Sequence, residues 1–180
     1  MRKLLTVLFL IPICAAVCGC GGKNCRDINY QKYPLDVSGV LTYDGNEYSV
    51  DVSVPESGDI EITVLLPERL KGAAFSLRDG ICSFNFAGVG SELDDGGYSA
   101  SSGILLSAEM FALTADAFAG SEVITENGVR YCAAEYKVDS EHASGTVRVF
   151  TQSGLSFPEK ITAELNGHSL SFVFAKENIN

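Results

Sequence analysis

Val37-Ser38-Gly39-Val40-Leu41-Thr42-Tyr43-Asp44-Gly45-Asn46-Glu47-Tyr48-Ser49-Val50-Asp51-Val52-Ser53-Val54 is a hairpin written in sequence. Tyr48, Val50, Val52 and Val54 fall on one side of a strand, and Val37 to Tyr43 supplies its partner. Asp44-Gly45-Asn46 lies between them, where Asp-Gly can take the positive φ that tight hairpin turns require. One face of the pair is therefore apolar and the other polar, as in a sheet with one buried side.

The period of two continues downstream. Pro55-Glu56-Ser57-Gly58-Asp59 is a second turn, and Ile60, Ile62, Val64 and Leu66 form the next alternating face. A break at Pro67-Glu68-Arg69-Leu70-Lys71-Gly72 leads into Ala73 to Leu77, and Arg78-Asp79-Gly80 turns the chain into Ile81 to Phe86. These are five consecutive antiparallel strands. Gly88 to Gly103 reads as a surface loop; its Glu92, Asp94 and Asp95 lack the ligand rhythm of a calcium loop, and no metal is expected.

Leu105 to Phe118 is the one clear helical pattern. Leu106, Met110, Leu113 and Ala117 recur on one face, widened by Phe111, Thr114 and Phe118, while Glu109 and Asp116 sit beyond its edge. A second β block follows: Glu122 to Glu126 meets Val129 to Val138 through Asn127-Gly128, then come Thr146 to Gln152, and Ile161 to Leu165 joined to Ser169 to Ala175 through Asn166-Gly167. The class is α+β, an antiparallel sheet of nine or ten sequentially paired strands with one main helix packed across it. Twist accumulates from strand to strand, so a sheet of that length must curl or close.

Upstream of the hairpin, Lys23 to Pro34 is polar and aperiodic and reads as a tether. Arg2 and Lys3 precede the uncharged run Leu4 to Val17, the layout of an export signal. Leu4 to Gly22 is nominally long enough to span a bilayer, but Pro12, three cysteines and the glycines make its last third a poor span. Val17-Cys18-Gly19-Cys20 resembles a bacterial lipobox, with an aliphatic residue three places before an obligatory cysteine and a small residue just before it. The resemblance implies cleavage after Gly19, and a thioether-linked diacylglyceryl group on Cys20, often with a third acyl chain on its amine. Two chains on one residue suffice for stable anchoring, whereas one binds only reversibly. The expected organisation is residues 1–19 as signal peptide, 20–34 as lipidated terminus and tether, and 35–180 as one domain at the extracytoplasmic side of a membrane.

Processing would remove two of the 13 basic residues and none of the 23 acidic ones, moving the formal charge from −10 to −12. That sign disfavours nucleic acid and adhesion to anionic lipid, so the acyl group must hold the membrane unaided. The processed chain would keep Cys25, Cys82 and Cys132 besides Cys20. Cys82 alternates with Phe84 and Phe86, and Cys132 with Tyr136 and Val138, so both read as inward-facing. Two readings stay open for them: buried free thiols, which pack as small hydrophobes, or a Cys82–Cys132 bridge in a compartment where disulfides persist. No cysteine spacing suggests zinc.

Two further segments resemble the lipoprotein-sorting carriers of the LolA and LolB kind. One is Leu66-Pro67-Glu68-Arg69-Leu70-Lys71-Gly72 followed by a hairpin with Phe84-Asn85-Phe86-Ala87-Gly88; the other is Ser153-Gly154-Leu155-Ser156-Phe157-Pro158-Glu159-Lys160-Ile161, before the closing hairpin. With the helix between them, the similarity in order covers Val37 to Ala175. It implies a half-open β-barrel with the helix over its concave side and an apolar cavity between, and it assigns Phe84, Phe86, Met110, Phe111 and Phe118 to the inner face. The family's long N-terminal helix is absent or reduced in this sequence.

No GxSxG, HExxH, GxxxxGK[ST] or GxGxxG occurs. His142 and His168 read as ordinary exposed residues, and no catalytic site, cofactor or enzyme activity is expected. Two functions remain for a chain expected to be monomeric. One is a binding protein that holds an acyl chain, lipid or lipoprotein segment in the half-barrel. The other is an envelope interaction module whose inner residues merely fill a core and whose outside supports a partner protein. An apolar cavity under the helix favours the first, a filled core the second.

Overall fold

The computed structural model describes residues 31, 34–78, 81–93 and 103–176. Eleven strands form one antiparallel sheet: β1 (Leu35–Tyr43), β2 (Asn46–Val54), β3 (Ile60–Leu66), β4 (Ala74–Arg78), β5 (Ile81–Phe86), β6 (Val89–Leu93), β7 (Phe118–Glu126), β8 (Val129–Asp139), β9 (Ser144–Gln152), β10 (Lys160–Leu165) and β11 (His168–Phe174). Their spatial order is β6-β5-β4-β3-β2-β1-β11-β10-β9-β8-β7. Every ladder joins strands adjacent in sequence except one, β1 against β11, which sets Gly39 opposite Phe174 and Tyr43 opposite Leu170.

The opening hairpin forms as its sequence dictates. Asp44 and Gly45 take φ of 44° and 82°, and Val37 pairs with Val52 across the ladder. Leu35, Val37 and Leu41 are buried, with Val50, Val52 and Val54 beside them. On the opposite face Ser53 Oγ donates to Asp36 Oδ1 and Ser38 Oγ to Asp51 Oδ1, each at 2.6 Å, between residues directly opposed in the ladder. Neighbouring strands thus exchange hydroxyl-to-carboxylate bonds outside while valines pack inside.

Between β6 and β7 the chain crosses the buried face as a single α-turn, α1 (Gly103–Leu106), a 3-10 segment (Ser107–Phe111) and a second 3-10 turn (Ala115–Ala117). Here the expected helix over Leu105 to Phe118 is corrected. Phe118 opens β7, and Ser107 does not cap: its Oγ donates to the Ile104 carbonyl at 2.5 Å. Each residue from Gly103 to Phe111 is buried, including Glu109, so the segment has no solvated stripe of the kind that defines an amphipathic helix. A 3-10 coil rises about 2.0 Å per residue against about 1.5 Å for an α-helix, and so carries few residues across a wide face.

The 3-10 segment packs against both β3 and β10. Four ladder steps separate those strands, roughly 19 Å in a flat sheet, which is wider than the segment itself; the sheet must curl around it. The curl is not closure, since β6 and β7 remain its two edges. The architecture is thus the expected curved, unclosed sheet, with more strands and much less helix. β6 lies in the stretch read as a loop, entered through Ala87-Gly88 with φ of 53° and 82°. A turn that needs two positive φ values was hidden because alanine rarely adopts one.

Gly19, Cys20, Asp94 and Asp95, singled out in the sequence, lie outside the described residues. Gln31, near the end of the expected tether, is only 8% exposed, so there the chain rests against the domain. Cys82 is buried and takes part in no disulfide, whereas Cys132 is disulfide-bonded. The Cys82–Cys132 bridge is therefore excluded, and so is a free thiol at Cys132.

Candidate functional site

The inner face gathers side chains from β1, β2, β3, β8, β9, β10 and β11 under the crossing segment, in one continuous apolar cluster. All five residues assigned to that face belong to it or pack against it. Met110 and Phe111 are fully buried, at 0% exposure each. The Phe111 ring meets Phe172 edge-on at 5.2 Å between centroids, and Phe172 meets Phe174 at 4.8 Å. Phe118 stands half-buried at the start of β7, its ring 5.7 Å from that of Tyr136.

Phe84 and Phe86 occupy the other end. Ile62, Phe75 and Phe84 stand in register across β3, β4 and β5. The Phe75 and Phe84 rings lie 4.9 Å apart and those of Phe84 and Phe86 6.4 Å. All three rings remain half-buried although they pack against the main cluster. Alternation in Leu170, Phe172 and Phe174 could have revealed the β11 aromatics, which sequence reading left unassigned; nothing local marks Phe157, whose ring meets Phe174 at 5.0 Å.

Two close approaches require glycine, one at the start of the crossing segment and one between β1 and β11. A Cβ on Gly103 would collide with the Tyr43 ring, and one on Gly39 with the Phe172 ring and the Val173 carbonyl. Tyr43 is itself held: its hydroxyl lies 3.1 Å from His168 Nδ1, which lies 2.7 Å from Asp44 Oδ2. The hydrogen bond with His168, helped by the Ser169 backbone N–H, holds the Asp44 carboxyl below its ordinary range. Burial pushes the Tyr43 hydroxyl upward, and the neighbouring Asp44 charge adds to it. His168 is thus a half-buried strut between two hairpin turns rather than a free surface residue. At the far end of the segment, the buried Glu109 accepts a 2.8 Å hydrogen bond from Ser140 Oγ in the β8–β9 connection.

The outer face is mostly polar, with exposed Val40 and Val173 paired across β1 and β11 and an apolar island on β8 and β9. Tyr131, Ala133 and Phe150 form a second small cluster, Lys160 Nζ lies 4.4 Å from the Phe150 ring centre, and Tyr131 donates to Glu159 at 2.9 Å. Beside it a shallow depression of about 200 Å³ is lined by Gly120, Glu122, Ala133, Glu135 and Arg148 among others. The guanidinium there is engaged by both carboxylates, through Nε to Glu135 at 2.8 Å and Nη1 to Glu122 at 3.6 Å, and the Glu135 bond raises its pKa further. Among the described residues no three His, Cys, Asp or Glu side chains converge as metal ligands. No helix of the described residues is long and apolar enough to cross a membrane.

Among solved structures the chain is similar to the Mycobacterium tuberculosis lipoprotein LppX, at 12% identity over 84% of this chain and 90% of that one, with a TM-score of 0.45. It is also similar to a LolA superfamily protein from Nitrosomonas europaea, at 9% identity over 82% and 88% of the two chains, with a TM-score of 0.39. LprF from Mycobacterium bovis aligns at 9% identity over 82% and 87%, also with a TM-score of 0.39. No family model matches the sequence, and no curated protein does.

Proposed function

We propose that this protein is a non-enzymatic lipoprotein of the bacterial cell envelope, anchored by acyl chains on Cys20 at the extracytoplasmic side, and that its curved sheet binds an apolar chain on the inner face. The lipobox-like Val17 to Cys20 and the export layout before it support the anchor. The observation that carries the binding reading is the half-buried aromatic row Phe75, Phe84 and Phe86. It continues the inner face toward the β6 edge, and offers stacked rings along which an acyl chain could extend. Aromatic surface of that kind is costly to leave in water without a use.

A second reading rests on a different observation. Met110 and Phe111 are fully buried, so under the crossing segment the inner face is filled, as in a core. In that case the protein is an envelope module that acts through its outside on a partner protein.

One experiment separates the two readings. The lipoprotein is produced in a bacterial host, its acyl anchor is removed by proteolysis upstream of Pro34, and the domain is weighed by native mass spectrometry. A co-purifying lipid that is lost in Phe84→Ser supports apolar binding. An unliganded mass together with no uptake of a fluorescent fatty acid leaves the partner module. Independently, Cys20→Ser should move the protein from the membrane to the soluble or unprocessed fraction; a processed Cys20→Ser protein that stays in the membrane would overturn the anchor.

A further inference from the structure

We infer that the β9–β10 loop is a second membrane contact, through which the anchored domain stands on the bilayer with Leu155 in the lipid. This rests on the lipoprotein reading above and adds to it the end of the domain that meets the membrane.

The ladders show which loops share an end with the entry of the chain. Gly39 of β1 faces Phe174 of β11, Val173 of β11 faces Lys160 of β10, and Lys160 faces Phe150 of β9. The start of β1, the end of β11 and the β9–β10 loop therefore lie at one end of the sheet. The loop is two to three ladder steps from Leu35, about 10 to 15 Å across the strands. Exposed apolar residues stand at both ends of the sheet, Leu155 at 42% here, and Leu66 at 51% and Val89 at 72% at the other. The point of entry decides between them. An anchor upstream of Leu35 pulls on the end where β1 begins, and the opposite end lies a strand length away, about 30 Å for the nine residues of β1. Gln31 is already buried, so the chain is seated on the domain before β1 starts, which shortens the tether.

The loop itself is built to present one apolar side chain. Gln152 to Pro158 carries no charge, in a chain of which 20% of residues are charged. Its backbone is braced, with the Ser153 N–H donating to the Arg130 carbonyl at 2.9 Å and the Leu155 N–H to the Gln152 carbonyl at 3.0 Å. The Phe157 ring is held against Phe174, and Pro158 is buried. Leu155 is thus fixed outward while the residues after it are fixed inward. The nearest charged residues in sequence are turned away from the tip, Glu159 accepting from Tyr131 and Lys160 pairing with Glu126. Arg130 and Lys176, both exposed at this end, can lay their stems along the surface and reach headgroup phosphates. Glu56 and Asp59 sit on the β2–β3 turn, on the far side of β1 from the loop. The formal charge of −10 does not oppose such a contact, because it is apolar and needs no anionic lipid.

The chain contains no tryptophan, so one introduced at a chosen place reports on that place alone. The full-length lipoprotein carrying Leu155→Trp, and separately Val89→Trp from the opposite end, is purified from the membrane fraction and reconstituted into phosphatidylcholine vesicles with and without brominated acyl chains. Tryptophan is at home in the interfacial layer, so the substitution keeps the contact. In Leu155→Trp the emission should shift to the blue on reconstitution and be quenched by the brominated lipid, whereas Val89→Trp should keep the emission of a water-exposed indole and escape quenching. Unquenched Leu155→Trp in protein that floats with the vesicles, quenching of Val89→Trp alone, or equal quenching of both overturns the contact. Failure of the anchor reading shows separately, as protein that does not float with the vesicles at all, and the contact falls with it.

Discussion

Asp44 occupies the turn of the opening hairpin, where its carboxylate meets His168 from the closing hairpin and the backbone N–H of Ser169. Because its folded pKa is lowered, its contribution to stability is complete above the ordinary value of 3.8 and is lost as pH falls through the lower folded value. Thermal unfolding of Asp44→Asn should therefore fall below that of the unaltered protein at pH 6, and the two curves should converge as the pH falls through the lowered folded value. Glu109 tests the opposite situation, a carboxylate held inside. Glu109→Ala removes the acceptor for Ser140 and should lower stability by about 1 to 3 kcal/mol in urea unfolding, with Glu109→Gln, which can still accept, closer to the original. Helical periodicity placed Glu109 with Asp116 on a solvated edge, and only Asp116 is exposed. The misreading has a physical source: a helical period presumes one face left in water, whereas every residue from Gly103 to Phe111 is enclosed, so no solvated edge remains for Glu109 to occupy.

At the scale of elements, the strands were legible and the crossing segment was not. Asp44-Gly45, Asn127-Gly128 and Asn166-Gly167 each announce a positive-φ hairpin turn, and each is one. Alternation then fixes which side of β1, β2, β3, β10 and β11 is buried. The residues of the inner face, Met110 and Phe111 among them, were legible from apolarity alone, since either helical geometry buries them. What could not be read is how completely they are enclosed, because enclosure is a property of six or seven strands acting together. Met110→Ala should cost about 2 to 5 kcal/mol, as for a fully buried side chain in a filled core. Chemical denaturation measures it, and a cost well below 1 kcal/mol would indicate that the segment lies over empty space rather than against packed side chains.

At the scale of the molecule, the chain runs as two meanders, β1 to β6 and β7 to β11, that meet along the single ladder between β1 and β11. Nothing in the local pattern of either strand names the other as its neighbour; both are bounded by hairpins, and the pairing follows only from the need of both meanders to share one apolar face. Contacts within each meander are short in sequence, and so cheap in loop entropy, while the central ladder and the crossing segment must wait for both halves.

That seam gives the protein a use as a pair of pieces. A chain ending after β6 and a second beginning at α1 would each carry a complete set of hairpins but half of an interior, and neither could satisfy its buried face alone. Co-expressed, residues 34–93 and 103–176 should reassemble through the β1–β11 edges into a stable heterodimer, detected by co-purification of an affinity-tagged half; expressed singly, each half should be insoluble or monomeric and unfolded. Recovery of a cooperatively folded single half would show that its meander closes an interior of its own. The seam would then be an interface between two autonomous modules, and a place where a reporter could be split.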